Sequence, residues 1–202
     1  MKPLPQPLNI GAVLFPGFEL LDLYGPLEML GLLGDRVSIA LLAENPGAIS
    51  SSVGVKGFAE ASLNDPGVID LLLIPGGIGT RALVKNDHFL ALLKAKADSS
   101  SLVATVCTGS ALLAKTGLLD GQRATSNKIA FDWVREQGPS VHWVRQARWV
   151  EDGKYFTSSG ISAGIDMTLG VISHLYGRET AQEIARRAEY LWNEDRSVDP
   201  FA

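Results

Sequence analysis

"SLVATVCTGSALLAKTGLL", residues 101–119, holds the only cysteine of the chain. The run "LVATV" reads as a parallel strand covered on both faces, and "TGSALLAKTG" reads as the opening of a helix. Cys107 therefore falls on the sharp connection between them, at the carboxyl edge of the sheet, where open α/β sheets place ligands. The helix start offers unpaired backbone N–H groups and the positive end of a dipole, which favours thiolate over thiol. A nucleophile at such a bend is the arrangement known as the nucleophile elbow, usually built around serine. The competing reading is a cysteine used as a small buried hydrophobe.

Outward from this stretch, strand and helix signals alternate. "NIGAVLF" and "IDLLLIP" are further nearly continuous apolar runs, and "RVSIALLA" is another strand. "LDLYGPLEMLGLL", "HFLALLKAKA" and "AGIDMTLGVISHLYG" carry apolar residues at helical spacing, and "ETAQEIARRAEYLW" reads as an amphipathic helix throughout. "VGVKGFAEASL" reads as a short hairpin or edge excursion because its glycines interrupt the pattern. "VHWVRQARWVEDGKYFTS" reads as a hairpin turning at Asp152-Gly153. The prediction is an α/β sandwich with a mainly parallel sheet and small antiparallel additions. The Pro-containing ends, "MKPLPQP" and "VDPFA", are expected to be mobile.

The chain of 202 residues suits one domain, 1–202, with a core of its own. A single cysteine excludes an internal disulfide, and the start lacks the pattern of a secretory signal, so a cytoplasmic location is expected. No apolar run is long enough for a membrane helix, which predicts a soluble protein. The balance of 18 Lys and Arg against 22 Asp and Glu, with no basic stripe, argues against nucleic acid as a ligand. No appended DNA-reading module is expected after the last helix.

A cysteine nucleophile commonly works with histidine. The chain has only His88, His142 and His174, each in a setting that reads as structural or exposed, and Thr108 follows the cysteine. No metal-ligand spacing is present, so no metal is expected. An acid is an alternative partner. Asp22, read from its position alone, suits a helix cap.

"VLFPGFELLDLYGPLEML", "LLLIPGG", "ATVCTGSALLAKTGLLDGQRAT" and "SSGISAGIDMTL" together resemble the ThiJ/PfpI superfamily over residues 8–192. The resemblance implies a flavodoxin-like three-layer sandwich, related to class I glutamine amidotransferases, and commonly a homodimer contacting through its first helix. Within the superfamily, the chain is most like the isocyanide hydratase branch and the ligand-sensing domains of AraC-type regulators. By resemblance, Cys107 is the nucleophile and Asp22 the acid that hydrogen-bonds it, with Glu19 a surface residue at the helix start. Gly76, Gly77 and the Thr108 N–H match the loop that approaches the thiol, a candidate anion or oxyanion site.

Gly160, Gly164 and Asp166 are expected to shape and cap the helix lining the pocket. Asn127 and Lys128 stand where relatives carry a histidine and an aromatic residue, so Asn127 is expected to meet a ligand and Lys128 to add a cation. Trp133 or Trp143 could wall the pocket, or both could be core.

The implied reaction is hydration of an isocyanide to an N-substituted formamide without a cofactor. Cys107 adds to the terminal carbon, Asp22 supplies or relays the proton to give a thioimidate, and water then releases the formamide. This requires the pKa of Asp22 to be raised. The same superfamily implies three alternatives: glyoxalase or deglycase-like chemistry, a redox-sensing stress protein, or a non-catalytic ligand-binding domain.

Overall fold

The structure, a computed structural model, describes residues 7–202. Its sheet begins with β1 (Leu8–Val13) and β2 (Val37–Ala43), which run parallel. An antiparallel pair follows, β3 (Gly47–Ser50) with β4 (Lys56–Ala59), and then the short edge strand β5 (Ala61–Ser62) beside β2. The segment 53–63, read as a short hairpin or an edge excursion, supplies only one arm of the hairpin, β4, whose partner β3 lies upstream of it, together with the edge strand β5. β6 (Leu71–Ile74) and β7 (Leu102–Thr105) are buried at every position, as continuous apolar runs demand of central parallel strands. β8 (Arg123–Ala124) and β9 (His142–Trp143) form a small separate pair. β10 (Trp149–Asp152) and β11 (Tyr155–Ser158) form the expected hairpin, with Gly153 at φ 58° in its turn.

The main sheet has the order β10-β11-β7-β6-β1-β2-β5 and is parallel except at the β10–β11 pair. From β1 the chain moves toward one edge through β2, whereas from β6 it moves toward the other through β7. The strand order therefore reverses between β1 and β6, and a crevice opens beyond their carboxyl ends.

Helices cover both faces. α1 (Leu20–Gly31), α6 (Ala163–Tyr176) and α7 (Arg178–Arg187) pack together in one layer. α2 (Thr80–Leu83), α3 (Asp87–Ser99), α4 (Gly109–Lys115) and α5 (Phe131–Gln137) form the other. The Asn86 side chain accepts the Phe89 N–H at 3.1 Å, which fixes the start of α3. This is the flavodoxin-like three-layer α/β arrangement expected from the sequence. Among the described residues no helix is long and apolar enough to cross a membrane.

Three local expectations need correction. The last amphipathic helix stops at Arg187, short of "EYLW". Glu189 turns to φ 51°, and Tyr190 and Trp192 then bond back to Asp166 at 3.0 and 3.1 Å. Asp166 accordingly does not cap α6: it is fully buried and holds Arg148 Nε at 2.7 Å and the Asn193 N–H at 3.0 Å. The C-terminal "VDPFA", read as mobile, is tied down at buried Asp199, whose N–H donates to Gln146 O at 2.7 Å. The N-terminal stretch read as mobile lies, except for Pro7, outside the described residues.

Truncating one member of a buried ion pair leaves the other charge dry and unpaired. Asp166→Ala is therefore expected to cost about 3–5 kcal/mol in urea denaturation. A loss below about 1 kcal/mol would contradict this assignment of Asp166 as the tie holding residues 188–193.

Candidate functional site

The site lies in the crevice at the sheet reversal and draws on four chain segments. Cys107 follows β7, Gly76 and Gly77 follow β6, Asp22 sits in the first turn of α1 after β1, and Ile161 follows β11. Cys107 has φ 56°, a conformation uncommon for a residue with a Cβ and costing on the order of 1–3 kcal/mol. The surroundings hold it there. Its N–H donates to Ser159 O at 3.2 Å, and its own carbonyl accepts the hydroxyls of Ser110 at 3.1 Å and Ser126 at 2.8 Å. Gly109 must follow, because a Cβ there would stand 2.7 Å from Pro75 O.

Asp22 is completely buried. Its Oδ2 accepts the Gly76 N–H at 2.9 Å, while the Glu19 N–H donates to Gly76 O at 2.9 Å, so the start of α1 and the loop after β6 are fastened in both directions. Asp22 Oδ1 has no well-formed hydrogen bond. A Cβ on Gly76 would come within 2.6 Å of Thr108 N and 2.9 Å of Asp22 Oδ2, which explains glycine at this point.

Burial dominates the electrostatics. Desolvation pushes Asp22 up to about 7 against the pull of the Gly76 N–H, and the nearby Glu19 charge adds to the rise. A weaker side-chain interaction with the Cys107 thiol acts in the opposite direction. Desolvation, followed by the Asp22 charge, pushes Cys107 up to about 12. Three donors oppose this: the Thr108 N–H, the Ile161 N–H and the Asn127 side chain, all directed at the sulfur. They do not prevail. The expectation that the helix start favours thiolate is therefore corrected, because α4 begins in a dry pocket beside a second acidic group. At neutral pH the pair holds a thiol beside an acid that titrates near neutrality.

Two of the three donors expected to form an oxyanion site are engaged elsewhere. The Gly76 N–H serves Asp22, the Gly77 N–H donates to Thr108 Oγ1 at 3.0 Å, and the Thr108 N–H faces the thiol. Asn127 does reach the centre, with its Oδ1 fixed by the Ala130 N–H at 2.9 Å. Gly160 makes room for it, since a Cβ there would collide with Asn127 Nδ2. Gly164 similarly allows α6 to approach Val106.

Lys128 adds no cation to the pocket. Its Nζ is buried against Thr125 Oγ1 at 2.8 Å and Ala147 O at 2.7 Å, with Asp199 at 3.9 Å. Glu19 is at the helix start as expected, where its Oε2 accepts the Ser52 hydroxyl at 2.9 Å.

Trp143 packs edge-on against Phe131, and the cleft of about 640 Å³ that both line includes neither Cys107 nor Asp22. Trp133 is the tryptophan tied to the loop beside the thiol, because Arg81 of α2 stacks on it at 3.3 Å. Burial lowers the pKa of Arg81, and negative charge at Cys107 would oppose that shift. Arg81 escaped the sequence reading; its only signal is its place four residues beyond the double glycine. None of the histidines enters the site: His88 meets Glu44, His174 meets Glu151, and His142 is exposed. Among the described residues no group of His, Cys, Asp and Glu could hold a metal ion.

The raised Asp22 pKa has a consequence for stability. Below the ordinary value of 3.8 both folded and unfolded chains are protonated, and the burial carries no ionisation cost. Between 3.8 and about 7 only the unfolded chain ionises, so stability falls as pH rises and levels off above about 7. Asp22→Asn removes this cost. Its stability relative to wild type should climb between pH 4 and 7, by at most about 1.4 kcal/mol per pH unit, as read by thermal denaturation across pH. A difference independent of pH would show that Asp22 ionises normally.

The DJ-1/PfpI family profile matches residues 9–174. The chain is 36% identical to the isonitrile hydratase of Pseudomonas putida across 91% of its own length and 78% of that protein. It is 29% identical to the HTH-type transcriptional regulator GbdR of Pseudomonas aeruginosa across 92% of its length, but spans only 51% of the regulator. The crystal structure of a THiJ/PfpI family protein from Pseudomonas syringae superposes with a TM-score of 0.84 at 28% identity, covering 93% of this chain and 76% of that one. The elbow cysteine, its dry acid and the double-glycine loop thus sit within a sequence and fold shared along most of the chain, which belongs to the DJ-1/PfpI family.

Proposed function

We propose that this protein is a cysteine-dependent hydro-lyase that converts isocyanides into N-substituted formamides. The observation that carries the reading is the pairing of a buried thiol with an acid whose pKa is pushed up to about 7. Similarity to an isonitrile hydratase supports the same direction. The terminal carbon of an isocyanide is a poor acceptor for a thiol unless a proton arrives as the bond forms. A free thiolate is not required where the thiol and an acid can act together.

In this reading the Cys107 sulfur bonds to the terminal carbon, and that carbon takes a proton relayed through Asp22, giving a thioimidate. Water then adds across the carbon–nitrogen double bond. Its oxygen stays on carbon, one proton passes to nitrogen, and the carbon–sulfur bond breaks to release the formamide while the sulfur recovers its proton. The sum is isocyanide plus water to formamide, with the enzyme unchanged. The Ile161 and Thr108 N–H groups and the Asn127 amide steady charge on sulfur during both steps.

A thiol this buried, with its pKa driven upward, is poorly suited to sensing peroxide, which reacts with accessible thiolate. We also propose a second copy of the chain as the cover for exposed Leu21 and Tyr24 of α1 and Val53, Val55 and Phe58 of the β3–β4 hairpin. The location in the cell is proposed to be the cytoplasm.

Wild type should release formamide from a simple aromatic isocyanide, detected by chromatography and mass spectrometry. Cys107→Ala should abolish turnover, and Asp22→Asn should lower it by about 10²–10⁴-fold. Activity of wild type should decline as pH rises through about 7, where Asp22 loses its proton. Absence of formamide from wild type would falsify the hydratase reading.

A further inference from the structure

Arg81 stands at the start of α2, immediately after the double-glycine loop. Its neighbour Thr80 fixes that helix to the elbow: the Thr80 hydroxyl donates to Gly77 O at 2.8 Å and lies 3.2 Å from Thr108 Oγ1. The guanidinium is in turn held by Trp133, whose ring centroid is 3.3 Å from Arg81 Cζ. Stacking occupies the face of the guanidinium and leaves its edge, with its N–H donors, unspent.

Most other arginines spend their charge on a carboxylate; Arg36, stacked on Tyr176, and Arg123 do not, and they lie away from the loops that surround Cys107. Arg148 is paired with Asp166, Arg178 with Glu194, Arg196 with Glu151, and both Arg135 and Arg145 with Asp132. Among the described residues the Arg81 side chain makes no ion pair and no hydrogen bond. It is nevertheless half-buried; burial lowers its pKa, and negative charge at Cys107 would oppose that shift, which places the two within electrostatic reach. A partly desolvated, immobilised cation without a partner is costly unless a ligand supplies the anion. The planar fork suits a carboxylate. Glu19, whose charge raises the pKa of Asp22, would repel an anion placed beside that acid. A ligand is thereby oriented, with its charge toward α2 and Trp133 and its reacting carbon toward the sulfur.

We propose that Arg81 makes the Cys107 site selective for small electrophiles that carry a carboxylate. The identity of the reacting group, which would make these substrates isocyano acids, rests on the hydratase reading above. The selectivity for a carboxylate does not.

Iodoacetate and iodoacetamide test this directly, because they are close in size and differ in charge. In each the sulfur displaces iodide and forms a carbon–sulfur bond. With one cysteine in the chain, intact mass reports labelling at Cys107 alone. The ratio of the iodoacetate to iodoacetamide rates in native protein, divided by the same ratio in urea, should be about tenfold. It should fall to near one in Arg81→Met, be intermediate in Arg81→Lys, and shrink with added salt.

A native ratio at or below the urea value would overturn the proposal. So would an equal slowing of both reagents in Arg81→Met, which would mean that Arg81 serves the sulfur rather than the ligand. Failure of either reagent to label the native protein would also count against it, since the site would not admit such a ligand. A parallel arm compares hydration of isocyanoacetate with that of ethyl isocyanide. Charge-selective labelling without formamide from either would strike the hydratase reading and leave the selectivity standing. Formamide from both, with no Arg81-dependent ratio, would do the reverse.

Discussion

The contact on which the site depends is the approach of the Gly76 backbone to Asp22 and Thr108. Only a residue without a Cβ fits between them, and only that fit lets the loop after β6 bond to the start of α1 in both directions. Once the two strand ends are drawn together, Asp22 has no route to water. The positive φ of Cys107 then points the thiol into the same dry space, and the hydroxyls of Ser110 and Ser126 hold the carbonyl that allows it. Backbone geometry thus creates the acid–thiol pair before any side-chain charge is considered.

Charge decides how that pair behaves. Donors aimed at the sulfur pull toward thiolate, but desolvation and the neighbouring acid pull harder the other way. The same dryness that denies Cys107 a resting negative charge keeps a proton on Asp22 near neutrality. A reaction in which sulfur attacks while carbon takes up a proton uses both consequences at once. Chemistry that needs a standing thiolate uses neither. Arg81 adds the one nearby cation that has no protein partner among the described residues, and its stacking on Trp133 gives it a fixed position at the rim.

The fold was legible because its central strands are buried on both faces and so appear as unbroken apolar runs, as "LLLI" and "LVAT" do. The elbow was legible for the same reason: a run of that kind ending at Cys107 and followed by a helix start leaves few alternatives. Side-chain destinations were not. Lys128 reads as a pocket cation beside Asn127, yet its Nζ turns to Thr125 and Ala147, because partners contributed from distant segments decide the matter. The length of α7 was overread since the helical period continues into Tyr190 and Trp192, while Asp166, far away in sequence, recruits both residues. The state of the thiol was misjudged because a helix start is visible in the sequence and the degree of desolvation is not.

The most direct measurement is a carbon-13 NMR titration of the Asp22 carboxyl in uniformly aspartate-labelled protein, with its resonance assigned by its loss in Asp22→Asn. The burial described here predicts a midpoint near pH 7, well above the ordinary aspartate range. A midpoint at or below about pH 4 would mean that Asp22 is an ordinary carboxylate at neutral pH. The account of Cys107 acting with a protonated acid would then be wrong.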